Sequence, residues 1–127
     1  MQRDFLLPQR VVTTDGIGLP NDFRSRCEKQ QYLTLGVTRL SEHHNLEVSL
    51  WGSSDCEDWG SEPLATFPAK FSCGIYSILL DFSAHPEIWF VRVQWKIGHW
   101  GKSQPMPMCE FYVCTEEVGT RSRAAVR

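Results

Sequence analysis

The sequence has no apolar run approaching the roughly 20 residues that a membrane-spanning helix needs, and its start, Met1 to Pro8, has no signal-peptide core. It also lacks an excess of either charge, because 13 Lys and Arg face 15 Asp and Glu for a formal net charge of −2. Such a balance provides no field that would attract nucleic acid or an anionic membrane. We therefore expect a soluble cytoplasmic protein that binds neither of them.

The five cysteines form an odd set without any CxxC spacing: Cys27, Cys56, Cys73, Cys109 and Cys114. An odd number argues against a closed disulfide framework, and the missing CxxC pairs argue against a tetrahedral zinc site. Cys109 and Cys114 lie an odd number of positions apart on one predicted strand, so their side chains should point to opposite faces. We expect most of the thiols to be small core fillers in a reducing compartment.

Signatures of catalysis are missing as well. Neither His85 nor His99 has a Ser or Cys near it in a nucleophile elbow. Gly16 and Gly18 are not followed by the residues that a phosphate-binding glycine loop requires. The sequence therefore predicts no enzyme activity and no cofactor.

One short segment has the chemistry of metal ligands, since His43 and His44 stand between Glu42 and Glu47. Adjacent residues on an extended chain point in opposite directions, so the two imidazoles should not converge on one ion. His43 and His44 are therefore weak metal candidates, and we expect no metal site.

What the chain does have is alternation of apolar and polar residues with a period of two, as in Leu46, Val48 and Leu50, separated by Gly, Pro and Asp turns. Seven segments are assigned as strands, at residues 6–14, 31–40, 46–51, 64–67, 71–82, 88–97 and 108–115. Helical periodicity is almost absent; residues 16–29 are expected to be a loop, with at most one helical turn between Asn21 and Cys27. The sequence thus predicts an all-β antiparallel sandwich of jelly-roll type with about seven to eight strands. We expect one domain over residues 1–118 and a disordered C-terminal tail over residues 119–127.

Three stretches of sequence give the chain a resemblance to a known family. The first is Gly52-Ser53-Ser54-Asp55 followed by Trp59, and the others are Leu64-Ala65-Thr66-Phe67 and Phe90-Val91-Arg92-Val93. Over roughly residues 46–95 the chain resembles the galactose-binding-like sandwiches of the discoidin and coagulation factor 5/8 C type. This resemblance implies a β-sandwich that binds ligands through loops at one end. The chain departs from the family where Cys56 replaces the glycine that follows the turn aspartate, a position that favours positive φ.

The residues predicted to contact a ligand lie in one aromatic and basic segment: Trp100, His99, Lys102 and Lys96. Exposed Trp rings stack on sugars or clasp peptides, while Lys and His donate hydrogen bonds. Trp100 lies between glycines in a loop, whereas Trp95 falls on the predicted core face. Trp59 is expected to fold back over its turn, and Trp51 is expected either on the outer surface or in an inter-domain contact.

These observations favour a non-catalytic binding module that recognises a carbohydrate or a protein surface through loop aromatics. The first alternative is a structural or assembly subunit, a homo-oligomer formed through sheet edges and exposed aromatics. The second alternative is the small metal-dependent jelly-roll enzyme that His43 and His44 would serve.

Overall fold

The structure is a computed structural model that describes residues 3–23, 30–99 and 107–118. Within these residues it has one short 3-10 helix, Phe82–Ala84, and nine strands. The strands are β1 (Arg3–Val12), β2 (Gly16–Ile17), β3 (Asn21–Asp22), β4 (Gln30–Leu40), β5 (His44–Ser53), β6 (Ala65–Lys70), β7 (Gly74–Asp81), β8 (Phe90–His99) and β9 (Cys109–Glu117).

The strands form two antiparallel sheets that pack as a sandwich. The four-stranded sheet has the order β1-β9-β4-β7, and the five-stranded sheet has the order β2-β8-β5-β6 with β3 also paired to β8. Counted together, β2 and β3 are one interrupted edge strand, which leaves eight strands in the connectivity of a jelly roll. The predicted all-β antiparallel sandwich is therefore confirmed.

The core lies between the sheets and is built from the alternating rows that the sequence displays. Leu33, Leu35 and Val37 of β4 are buried, as are Leu46, Val48 and Leu50 of β5. Trp95 of β8 meets Phe111 of β9 edge to face across the two sheets, with ring centroids 5.7 Å apart. The prediction that Trp95 belongs to the core is confirmed, because only 4% of it is exposed and its Nε1 donates to the Thr14 carbonyl.

The segment expected to be a loop with one helical turn contains strands instead. Asn21 and Asp22 form β3, opposite Val91 and Phe90, and the next residue, Phe23, is buried. The backbone N–H of Phe23 donates to the Trp89 carbonyl at 2.7 Å, so hydrogen bonds to β8 replace those of a helical turn. Pairing with a distant strand therefore outweighs the local capping preference, while residues 24–29 lie outside the described part.

Trp89 has the same alternation parity as the buried Val91, Val93 and Trp95, but it does not belong to the core. It precedes the strand, which begins where Phe90 pairs with Ser53, and 49% of it is exposed. Its N–H donates to the Ser53 carbonyl at 3.0 Å, so the backbone is tied to the sheet while the indole extends past the end of the core.

The four cysteines in the described residues are free thiols. Cys109 and Cys114 are buried, Cys56 is partly buried and Cys73 is exposed, while Cys27 lies outside the described residues. Burial raises the pKa of the Cys109 thiol to about 11, with a smaller contribution from Cys73. Cys109 is therefore kept protonated and acts as a core side chain.

Candidate functional site

The turn that follows β5 is held by Ser53 and Asp55. The buried Ser53 Oγ accepts hydrogen bonds from the backbone N–H groups of Asp55 and Cys56, at 3.1 and 2.9 Å, and donates to Asp55 Oδ1. The same Oδ1 accepts from the N–H groups of Glu57 and Asp58. The backbone N–H groups of Asp58 and Glu57 and the Ser53 hydroxyl hold the pKa of Asp55 below its ordinary value.

Cys56 turns the chain back at this point with a left-handed φ of 66°. Glycine adopts this conformation readily, and a side chain makes it less favourable. The bend lets Trp59 Nε1 donate to the Cys56 carbonyl at 3.2 Å, and only 9% of Trp59 remains exposed. The prediction that Trp59 folds back over its own turn is confirmed.

The folded-back Trp59 ring supports the side chain of Arg92 on β8. The Arg92 guanidinium carbon lies 4.2 Å from the Trp59 ring centroid, a cation–π contact. The Arg92 Nε is buried and has no hydrogen-bond partner among the described residues. Two stretches that are far apart in sequence, the turn with its Trp and the Val-Arg pair, are thus joined in space.

Trp51 lies directly across from Arg92 in the β5–β8 ladder, on the outer face of the five-stranded sheet. Its Nε1 donates to Ser49 Oγ at 3.0 Å, which holds the half-buried indole along the strand. The next rows of this face are polar, since Ser49 pairs with Gln94 and Glu47 pairs with Lys96. We call this surface the Trp51 face; it comprises Trp51, Arg92, Ser49, Gln94, Glu47 and Lys96.

The residues predicted to contact a ligand are only partly described. Lys96 is exposed on the Trp51 face, whereas His99 lies an odd number of positions further along β8 and so on the other side of the sheet. Trp100 and Lys102 lie outside the described residues. The site formed by these four residues therefore stays a prediction. Two features of the sequence pointed to the Trp51 face. Trp51 has the opposite parity to the core residues Leu46, Val48 and Leu50, and Arg92 follows Val91 in the Val-Arg pair.

The candidate metal ligands point in different directions. His44 is buried, and its Nδ1 lies 2.9 Å from Ser41 Oγ and 3.0 Å from the Glu42 carbonyl oxygen. Its ring centroid lies 5.4 Å from that of His99, its partner on β8, and the two ring planes are tilted by 52°. His43 occupies the preceding turn with a φ of 65°. Among the described residues, no group of three or more His, Cys, Asp or Glu side chains could hold a metal ion.

A shallow pocket of about 130 Å³ opens between β6, β7 and the 3-10 helix. Its lining residues are Leu64, Ala65, Leu79, Leu80, Asp81, Phe82 and His85. This lining contains no hydroxyl or thiol side chain beside His85 that could act as a nucleophile. The volume is also below the several hundred Å³ of a typical small-molecule site.

Within the part of the chain that the structure describes, no helix has the length and apolarity to cross a membrane. Comparison of the chain with models of protein families, with curated proteins and with solved structures found no match.

Proposed function

We propose that this protein is a non-catalytic module that binds a carbohydrate on the Trp51 face. The observation that carries the proposal is the arrangement of Trp51 beside Arg92, whose guanidinium carbon lies 4.2 Å from the Trp59 ring centroid. An aromatic ring beside a fixed hydrogen-bond donor suits a sugar, which has apolar C–H faces and polar edges.

Trp51 would supply the stacking surface. The indole of a Trp is amphipathic, and its electron-rich face attracts the C–H groups of a pyranose ring. The hydrogen bond from Nε1 to Ser49 Oγ, 3.0 Å long, holds the ring before any ligand arrives. Binding would therefore lose little side-chain entropy, because the platform is already ordered.

Arg92 would supply the polar contacts. A guanidinium has five N–H donors in a rigid plane, and stacking on Trp59 orients that plane in advance. Gln94 and Ser49 lie in the neighbouring row of the same face and offer amide and hydroxyl groups to further sugar oxygens. The resemblance to galactose-binding-like sandwiches supports a carbohydrate over a protein surface as the ligand class. The contacts predicted at Lys96, His99, Trp100 and Lys102 stay a separate prediction, and of these residues Lys96 lies on the Trp51 face.

The test is binding of the purified protein to a glycan array, followed by calorimetric titration with the glycans that it retains. We expect Trp51→Ala to weaken binding by about 30-fold or more, the equivalent of about 2 kcal/mol for loss of a central Trp contact. Arg92→Gln should weaken binding as well, because an amide offers fewer donors and less charge.

Phe5→Ala is the matched control. Phe5 is also a half-exposed aromatic residue, but it belongs to the four-stranded sheet, so its loss should leave glycan binding unchanged. Circular dichroism would verify that each variant is folded. Retention of no glycan, or equal affinity of Trp51→Ala and the parent protein, would contradict the proposal.

A further inference from the structure

The edges of the two sheets differ in their protection against pairing with another strand. β1 contains Pro8 and two register irregularities, β6 contains Pro68 and one irregularity, and β2 and β3 are two residues long each. Proline, bulges and short strands are the usual features that stop edge-to-edge association. These three edges are therefore protected.

The remaining edge strand, β7, has none of these features. It is eight residues long and pairs with β4 without irregularity from Gly74 to Asp81. It contains no proline and no basic residue, and its one charge is Asp81 at the end. Every second backbone N–H and C=O of such a strand points away from the sheet and is available to another strand.

The side chains of β7 are apolar on the outer face where solvent reaches them. Ile75 is 73% exposed and Leu79 is 54% exposed, and Ser77 between them is bonded to Thr34 Oγ1 at 2.9 Å. On the inner face Tyr76 and Ile78 are only partly covered by the core. The strand therefore offers apolar side chains on both faces, together with an edge that pairs with no other strand of the described residues.

From these observations we propose that the chain forms a two-fold symmetric dimer in which β7 pairs antiparallel with β7 of a second copy. The sequence of the strand is nearly symmetric about Ser77. With the axis at Ser77, Ile75 lies opposite Leu79 of the partner subunit, and Tyr76 lies opposite Ile78 of the partner subunit. Each apolar side chain then meets an apolar one on the same face, as an isologous interface requires.

This arrangement also explains why association would stop at two copies. Pairing through β7 converts two four-stranded sheets into one sheet of eight strands, and the outermost strand at each end is then β1. Pro8 and the irregular register of β1 prevent a further strand from pairing there. Pairing through β7 therefore leads to a closed dimer and not to an open-ended fibre.

The experiment measures the solution mass of the full chain by light scattering over a dilution series. The parent protein should have twice the 14.6 kDa mass of one chain at high concentration. Replacing Ile75→Lys together with Leu79→Lys places like charges opposite each other across the axis, and we expect this variant to be a monomer. Both side chains are exposed, so circular dichroism should show that the variant keeps its fold.

A charge-complementary variant tests the register itself. Ile75→Lys together with Leu79→Glu places each new lysine opposite a new glutamate of the partner subunit, and we expect this variant to remain a dimer. A monomeric parent protein at every concentration would overturn the proposal, as would a dimer that survives both lysine substitutions. A monomeric lysine and glutamate variant would overturn the register centred on Ser77.

Discussion

At the scale of single residues, the most strained position in the candidate site is Cys56, whose φ is 66°. A side chain in the left-handed region raises the energy by roughly 1–2 kcal/mol relative to the right-handed one. Glycine would suit this position better than cysteine, because it has no Cβ to clash with the backbone at positive φ. The value of φ itself follows from the three-dimensional path of the turn.

We expect Cys56→Gly to stabilise the protein by about 0.5–1 kcal/mol. The relief of the left-handed strain exceeds the extra entropy that glycine gives to the unfolded chain. Urea unfolding followed by Trp fluorescence would measure the change. Ser54→Gly is the control, because Ser54 is not among the residues with positive φ and should lose about 0.5–1 kcal/mol instead. Equal effects of the two substitutions would contradict this account of the turn.

At the scale of elements, the turn between β5 and β6 shapes the Trp51 face. Asp55 and Ser53 satisfy the backbone N–H groups of the turn, the chain reverses at Cys56, and Trp59 is carried onto Arg92. The local part of this arrangement can be predicted from the Ser and Asp residues, because their side chains form turns by accepting hydrogen bonds from nearby backbone N–H groups. The contact with Arg92 depends on the pairing of β5 with β8.

The stability contributed by this turn should depend on pH. The backbone N–H groups of Asp58 and Glu57 hold the pKa of Asp55 below its ordinary value, so the ionised form stabilises the fold above that value. The contribution should be lost as the pH falls through the lowered pKa of the folded protein. We expect Asp55→Asn to melt at a lower temperature than the parent at neutral pH, with a gap that narrows below about pH 4. A gap that stays constant from pH 7 to pH 3 would contradict the assignment.

At the scale of the whole molecule, the two sheets share one core, and Phe111 lies in its middle. Phe111 is 0% exposed and meets Trp95 from the opposite sheet at 5.7 Å. Each sheet covers the apolar face of the other, so either sheet by itself would expose its apolar face to water. The same packing leaves the outer faces and the edge strand β7 outside the core, and these are the surfaces on which we propose that partners bind.

We expect Phe111→Ala to destabilise the protein by about 3–5 kcal/mol, since a buried ring is replaced by a cavity between the sheets. That is a large fraction of the 5–15 kcal/mol that typically separates a folded domain from its unfolded state. The urea midpoint should fall by about 1 M or more. Phe5→Ala, which removes a half-exposed ring, should cost less than half as much. A small effect at Phe111 would mean that the two sheets do not share this core.

The sequence by itself determined the seven longer strands and their buried rows, because alternation with a period of two is a local property of an extended chain. Leu33, Leu35 and Val37 could be assigned to the core for this reason, and Trp95 likewise. Only the tertiary structure decided that residues near Asn21 pair with β8, that Trp89 extends past the core, and that Trp59 stacks on Arg92. Each of these depends on which distant strands become neighbours, and the free energy of that choice comes from the packing of the whole sandwich.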